Sequence, residues 1–177
     1  MTHKRFSLAS SLFLFSVLHL GSAHSDTAVI AKKSLNGLYE KRNVALGKKD
    51  LKSAAISYSP DFIFVSKEGA KGDLKTLQKK LFVYIAFMKT VKVKTSILNC
   101  SLKGKVAALT VKYHLDLTIE NSETKKIQNV VADEVSDDLW EKSAGGWLQK
   151  RMTVKKEAAL IDGKPIDNTI LGGAKVK

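Results

Sequence analysis

The feature that most constrains the fold is a change of period at Thr90. Before it, apolar residues recur every three or four positions; after it, apolar and polar residues alternate one by one. The first pattern buries a stripe of helix and the second buries one face of a strand. Strands are expected near 91–102, 105–119, 126–140 and 147–155, with turns at "SLKGK", "ENSETKK" and "EKSAGGW". In the last turn, Gly145 and Gly146 can take the positive φ that a tight hairpin requires. The most regular strand places Ala107, Leu109, Val111, Tyr113, Leu115, Leu117 and Ile119 on one face, with Lys112, His114, Asp116 and Thr118 on the other. One side of such a sheet is buried and the other meets water or a partner.

Three helices are expected ahead of these strands. Over residues 27–46, Ala28, Ala31, Leu35, Leu38, Ala45 and Leu46 form an apolar stripe that tolerates Gly37 and stops at Gly47. A second helix places Leu51, Ala54, Ala55 and Tyr58 at i, i+3, i+4 and i+7, with Pro60 as its end. A short strand over 62–65 follows. Asp73 then caps a third helix with Leu74, Leu77, Leu81, Tyr84 and Met88 on one side. Helices followed by an antiparallel meander make an α+β domain.

The chain opens with Lys4 and Arg5, an apolar run from Phe6 to Leu20 and then small residues. This is the pattern of a secretory signal peptide over 1–23, cut after Ala23 or, alternatively, after Ser25. The run is shorter than the roughly 20 apolar residues that span a bilayer and is interrupted by serines and His19. A periplasmic or secreted protein is therefore expected. About 150 residues remain, the size of one domain. Cys100 is the single cysteine, so no intramolecular disulfide can form and the fold rests on packing. Cys100 itself reads as a small buried hydrophobe in a strand.

Without Lys4 and Arg5 the chain keeps 28 basic residues against 17 acidic, a net charge of +11. The lysines are spread singly and in pairs along nearly every element, which describes a solvated surface with weak attraction to anionic polymers or membranes. No nucleic-acid motif accompanies the charge, so specific nucleic-acid binding is not expected. The tail from 158, with "DGKP" and two further glycines, is expected to be peripheral or flexible.

The order of these elements, with "YSPDFIFVS" after the second helix and Asp138-x-Trp140, Gly145-Gly146-Trp147 and a basic last strand at the end, resembles the nuclear-transport-factor-two-like superfamily. It is most similar to the secreted SnoaL-like bacterial branch, over residues 27–157. The resemblance implies a cone: three N-terminal helices packed on a strongly curved antiparallel sheet, with a pocket at the open end and homodimers formed through the sheet. The hairpin would then close the far edge of the cone, with one of Trp140 and Trp147 packing on the helices. Enzymes of the superfamily use a pocket acid or base beside a tyrosine or second acid, and many other members are binding or assembly modules. Fold alone does not choose between these.

A pocket acid is sought among His114 and Asp116 on one strand and Asp133, Glu134, Asp137 and Asp138 on the next. The alternation puts His114 and Asp116 on the outer side. The strand over 126–140 has apolar residues in both alternating sets, so its register is open: the set containing Trp140 carries Glu134 and Asp138 inward, the other carries Asp133 and Asp137. Catalytic candidates are therefore Glu134, Asp138 and Tyr113, and a ligand-lining set is Tyr58, Phe64, Tyr84, Phe87, Tyr113 and Trp140. His3, His19 and His24 lie at or before the cut, leaving His114 alone, so no metal site and no cofactor are expected. The leading expectation is a non-catalytic module that binds a small apolar or anionic ligand or makes protein contacts. The alternative is an isomerase or lyase using a pocket carboxylate with a tyrosine. A third is a scaffold whose cavity is plugged by Phe62, Phe64, Phe87 and Trp140.

Overall fold

The computed structural model describes residues 22–121 and 124–166. Residues 1–21 of the expected signal peptide and the tail from 167 lie outside the described residues. In chain order the elements are α1 (Ser22–Gly47), α2 (Leu51–Ala55), β1 (Tyr58–Val65), β2 (Lys71–Asp73), α3 (Leu74–Phe87), β3 (Met88–Lys103), β4 (Val106–Glu120), β5 (Ile127–Ser143), β6 (Gly146–Ile161) and β7 (Lys164–Pro165). The strands form a curved, unclosed sheet in the order β2-β1-β6-β5-β4-β3, with β7 added to β6.

The sheet is mixed, which corrects the expectation of a purely antiparallel one. β3 to β6 are the antiparallel meander, but β1 returns to lie parallel to β6. Two sequence expectations fail around this pairing for one reason. Helix α2 ends at Ala55, not at Pro60, because Tyr58 already pairs with Gln149 of β6. Pro60 falls inside β1, where the register shifts between Tyr58 and Ile63 and no ladder donor is needed. The hairpin that carries Trp140 and Trp147 also does not close an edge, since β5 and β6 are inner strands of the sheet. Gly146 turns it with φ of 118°.

Helix α1 crosses the concave side and buries Ala31, Leu35, Tyr39 and Ala45. With the buried Arg42 between the last two, these residues fall three or four apart and keep one stripe against the sheet. The facing residues are the odd-numbered set of β4, from Ala107 to Leu117, as the alternation requires. On β5 the even set is inward: Val130, Glu134, Ser136, Asp138 and Trp140 are buried. Asp73 caps α3 by accepting from the Thr76 amide. That helix buries no residue fully and leaves Phe82, Val83 and Phe87 exposed.

On β6, Lys150 and Lys155 have no partner in the register with β5. Each is an extra residue, a bulge that flips the side-chain alternation beyond it. The inward set therefore reads Trp147 and Gln149, then Met152 and Val154, then Ala159. β6 continues to Ile161, and Ile166 donates back to the Ala159 carbonyl. Residues 158–161 and 164–165 are thus strand, not the peripheral tail expected, because Ala159 is buried against the core and pairs with Ala132 of β5.

Candidate functional site

The concave face encloses a hollow of about 100 Å³ between α1, α3 and the sheet. Its wall is largely apolar and aromatic: Tyr58 and Phe64 from β1, Leu77, Leu81 and Tyr84 from α3, Tyr113 and Leu115 from β4, and Met152 from β6. The polar groups on it are Arg42 and Asn43 from α1, Lys80 from α3 and Glu134 from β5.

Beneath the hollow lies a buried polar network centred on Asp138, which is 2% exposed. Its Oδ2 accepts from Tyr39 Oη at 2.5 Å, Tyr113 Oη at 2.8 Å and Gln149 Nε2 at 2.8 Å. Its Oδ1 accepts from Ser136 Oγ at 2.7 Å. Trp140 Nε1 donates to Tyr39 Oη at 2.9 Å, and the two rings pack edge to face. Arg42 donates to Gln149 Oε1 and to Ser57 Oγ, both at 2.7 Å, and its guanidinium lies 4.0 Å from the Tyr58 ring centre. Gln149 therefore joins the Arg42 cation to the Asp138 carboxylate. Burial raises the Asp138 pKa, against the opposing pull of the Ser136, Tyr39 and Tyr113 hydrogen bonds and of Arg42. Burial, and then Asp138, raises the Tyr39 and Tyr113 hydroxyls well above their ordinary range. All four partners of Asp138 are donors, an arrangement that suits a carboxylate and fixes the core in one geometry.

Glu134 differs in kind. It is 3% exposed, lines the hollow, and neither of its carboxyl oxygens has a hydrogen-bond partner. Its neighbours across the ladders are Tyr113 on β4 and Glu157 on β6. Burial, with lesser contributions from Asp138 and Glu157, pushes its pKa up to about 8. A carboxyl whose pKa is raised this far can give up or take a proton near neutral pH.

The structure brings Tyr58, Phe64, Tyr84, Tyr113 and Glu134 together around the hollow. Asp138 is behind the wall, reached through the Tyr113 hydroxyl. Trp140 is fully buried against Tyr39 and does not line the hollow. Phe87 is the last residue of α3, is 52% exposed and does not line the hollow. His114 and Asp116 stand on the outer sheet face, where His114 Nδ1 meets Asp133 Oδ1 at 2.9 Å. Among the described residues no group of three His, Cys, Asp or Glu is placed to hold a metal ion. Cys100 is half-buried against the core.

Sequence reading missed Tyr39, Arg42 and Gln149. Tyr39 and Arg42 follow Ala31 and Leu35 at helical spacing, so a polar pair on the apolar stripe was the available signal. Gln149 shares Trp147's parity, but the bulge at Lys150 hides which parity faces inward.

No protein-family model matches the chain, and no curated protein matches it in sequence. Solved structures do match its fold. A scytalone dehydratase-like protein from Novosphingobium aromaticivorans aligns with a TM-score of 0.60 at 12% identity, over 75% of this chain and 89% of that one. A nuclear transport factor 2-like superfamily protein from Salmonella enterica gives 0.55 at 12%, over 71% and 90%. A hexachlorocyclohexane dehydrochlorinase gives 0.57 at 10%, over 76% and 93%. Identities this low speak for the backbone and not for the chemistry carried on it. The chain has the fold of the nuclear-transport-factor-two-like superfamily.

Proposed function

We propose that the protein is a small-ligand-binding module whose ligand occupies the hollow between α1, α3 and the sheet. The observation that carries this is the hollow itself: an apolar and aromatic chamber whose wall includes one buried carboxyl, Glu134, that has no partner. Binding sites have this composition, an oily wall with a few polar groups that orient the guest. A guest of a few heavy atoms to about ring size suits a cavity near 100 Å³. Thermal unfolding with a library of such compounds tests the reading. A true ligand raises Tm by mass action, by about 2.7 kcal/mol of stability at a hundredfold excess over Kd. Leu77→Trp, which fills the chamber from α3, should abolish that rise. Should no compound shift Tm in either protein, the reading fails.

A second reading is supported by the protonation of Glu134. A carboxyl held near 8 beside a tyrosine is suited to proton transfer, as an isomerase or lyase requires. Two of the matched folds bear the names of a dehydratase and a dehydrochlorinase. On this reading Glu134→Gln retains binding and loses turnover, with a rate profile set by an ionisation near pH 8. We also propose, from the N-terminal pattern alone, that the chain is exported. Fractionation of the producing cell, with sequencing of the mature N-terminus, tests this; an intact Met1 in the cytoplasm would overturn it.

A further inference from the structure

Among the described residues, the buried side-chain atoms without a hydrogen-bond partner are Arg42 Nε, both carboxyl oxygens of Glu134 and Glu157 Oε1. Most are carboxyl oxygens, and they belong to two residues directly opposed across the β5–β6 ladder. The two carboxyls share no hydrogen bond with one another, since each retains orphaned oxygen. Buried polar atoms are satisfied as a rule, so an acceptor surplus at one wall of a cavity marks a place where donors arrive from outside the chain.

The charges around the hollow point the same way. Arg42, the buried cation, is already engaged: its terminal nitrogens donate to Gln149 and Ser57, its plane lies on Tyr58, and Gln149 links it to Asp138. Asp138 has a full set of donors. No Lys or Arg pairs with Glu134 or Glu157 among the ion pairs of the described residues, in a chain carrying 30 basic residues against 17 acidic. On the wall an anion would meet the buried carboxyl of Glu134, with Arg42 Nε and Lys80 as donors, but Lys80 is only half-buried and keeps its contact with solvent, whereas the Glu134 oxygens are shut off from it. A cation would meet unused acceptors and the faces of Tyr58 and Tyr113, which attract positive charge.

Resting on the pocket reading above, we propose that the ligand is a small amine, its ammonium group held by Glu134 and its apolar body against Phe64, Leu77 and Leu115. The groups facing Glu134 are Arg42 from α1, Tyr58 from β1, Tyr113 from β4, Glu157 from β6, Asp138 from its own strand, and Lys80 and Tyr84 on the α3 wall. The ammonium binds the ionised form, so capture releases the Glu134 proton. Affinity therefore rises as pH approaches about 8, the value at which that proton leaves the free protein.

The test is calorimetric titration of the full chain, at pH 6, 7 and 8, with benzylamine, benzoate and benzyl alcohol, which share one ring and differ in charge. Benzylamine should bind, tightening roughly fifty-fold from pH 6 to 8 as the ionised fraction grows, with buffer-dependent heats that report the released proton. Glu134→Gln should lose the pH dependence and at least about tenfold of the affinity at pH 8, and Glu157→Gln, outside the lining, should keep the dependence. Circular dichroism confirms that both variants fold. Benzoate binding more tightly than benzylamine, or all three binding alike, overturns the amine while leaving the pocket. If none of the three binds and no library compound raises Tm, both readings fail.

Discussion

Asp138 and Glu134 share the inward face of β5, and both are almost fully buried. One has every acceptor filled and the other has none. Asp138→Asn puts an amide where Tyr39, Tyr113 and Gln149 already point donors, and it removes the charge opposite Arg42. Breaking a buried charged network in this way costs about 3–5 kcal/mol, to be read from chemical denaturation midpoints. Glu134→Gln breaks no hydrogen bond, and its effect should depend on pH. The folded pKa near 8 lies above the ordinary 4.5, so the folded chain holds this proton more tightly than the unfolded one. The stability it contributes is complete below pH 4.5 and is lost as pH rises toward 8, at up to about 1.4 kcal/mol per unit. Wild type should therefore lose stability between pH 5 and 8 while the glutamine variant stays flatter. A parallel pH dependence in both would show that Glu134 is not the titrating group. At this scale alternation, with the resemblance's expectation of a pocket acid beside a tyrosine, made Tyr113, Glu134 and Asp138 candidates while leaving Asp133 and Asp137 as the alternative register. The donors that separate Asp138 from Glu134 come from α1 and β6, distant in the chain, and no local pattern announces them.

Helix α3 and strand β6 show how far periodicity carries an element. The start and cap of α3 were legible, because Asp73 and the spacing of Leu74, Leu77, Leu81 and Tyr84 are local facts, whereas Met88, expected on the helix, begins β3. The second apolar face of α3 was not legible, and Phe87 ended on the solvent side. Phe87→Ser should change stability by no more than about 0.5 kcal/mol and leave ligand binding intact. Phe64→Ala, from the wall of the hollow, should cost about 3 kcal/mol. Urea unfolding of the pair gives the comparison; a large loss at Phe87 would place that ring in a contact absent from the described fold. For β6, two bulges defeat any period-2 reading, since Lys150 and Lys155 each reverse the inward set. The strand then runs on through Ala159. A chain ended after Lys156 loses the partners of Val130 to Glu134 on β5 and the buried Ala159. We expect its Tm to fall by more than about 5 °C, whereas a dispensable tail would leave Tm unchanged.

Across the whole molecule, the longest ladders join β3, β4, β5 and β6, and α1 packs on their concave side. Amide exchange should be slowest in the inner strands β4, β5 and β6, and fastest in α3, which buries no residue fully. Protection of α3 equal to that of β5 would contradict this order. The chain's own pattern determined the α+β class, the position of α1 and α3, the long strands and the inward face of β4. Each of these follows from the spacing of side chains along a continuous segment, which sequence displays directly. Only the tertiary structure settled the parallel return of β1 onto β6, the even-numbered inward face of β5, the continuation of β6 past 157 and the two contrasting carboxyls. These depend on which segments meet, and a residue's burial, partners and proton affinity are set by neighbours that sequence spacing does not reveal.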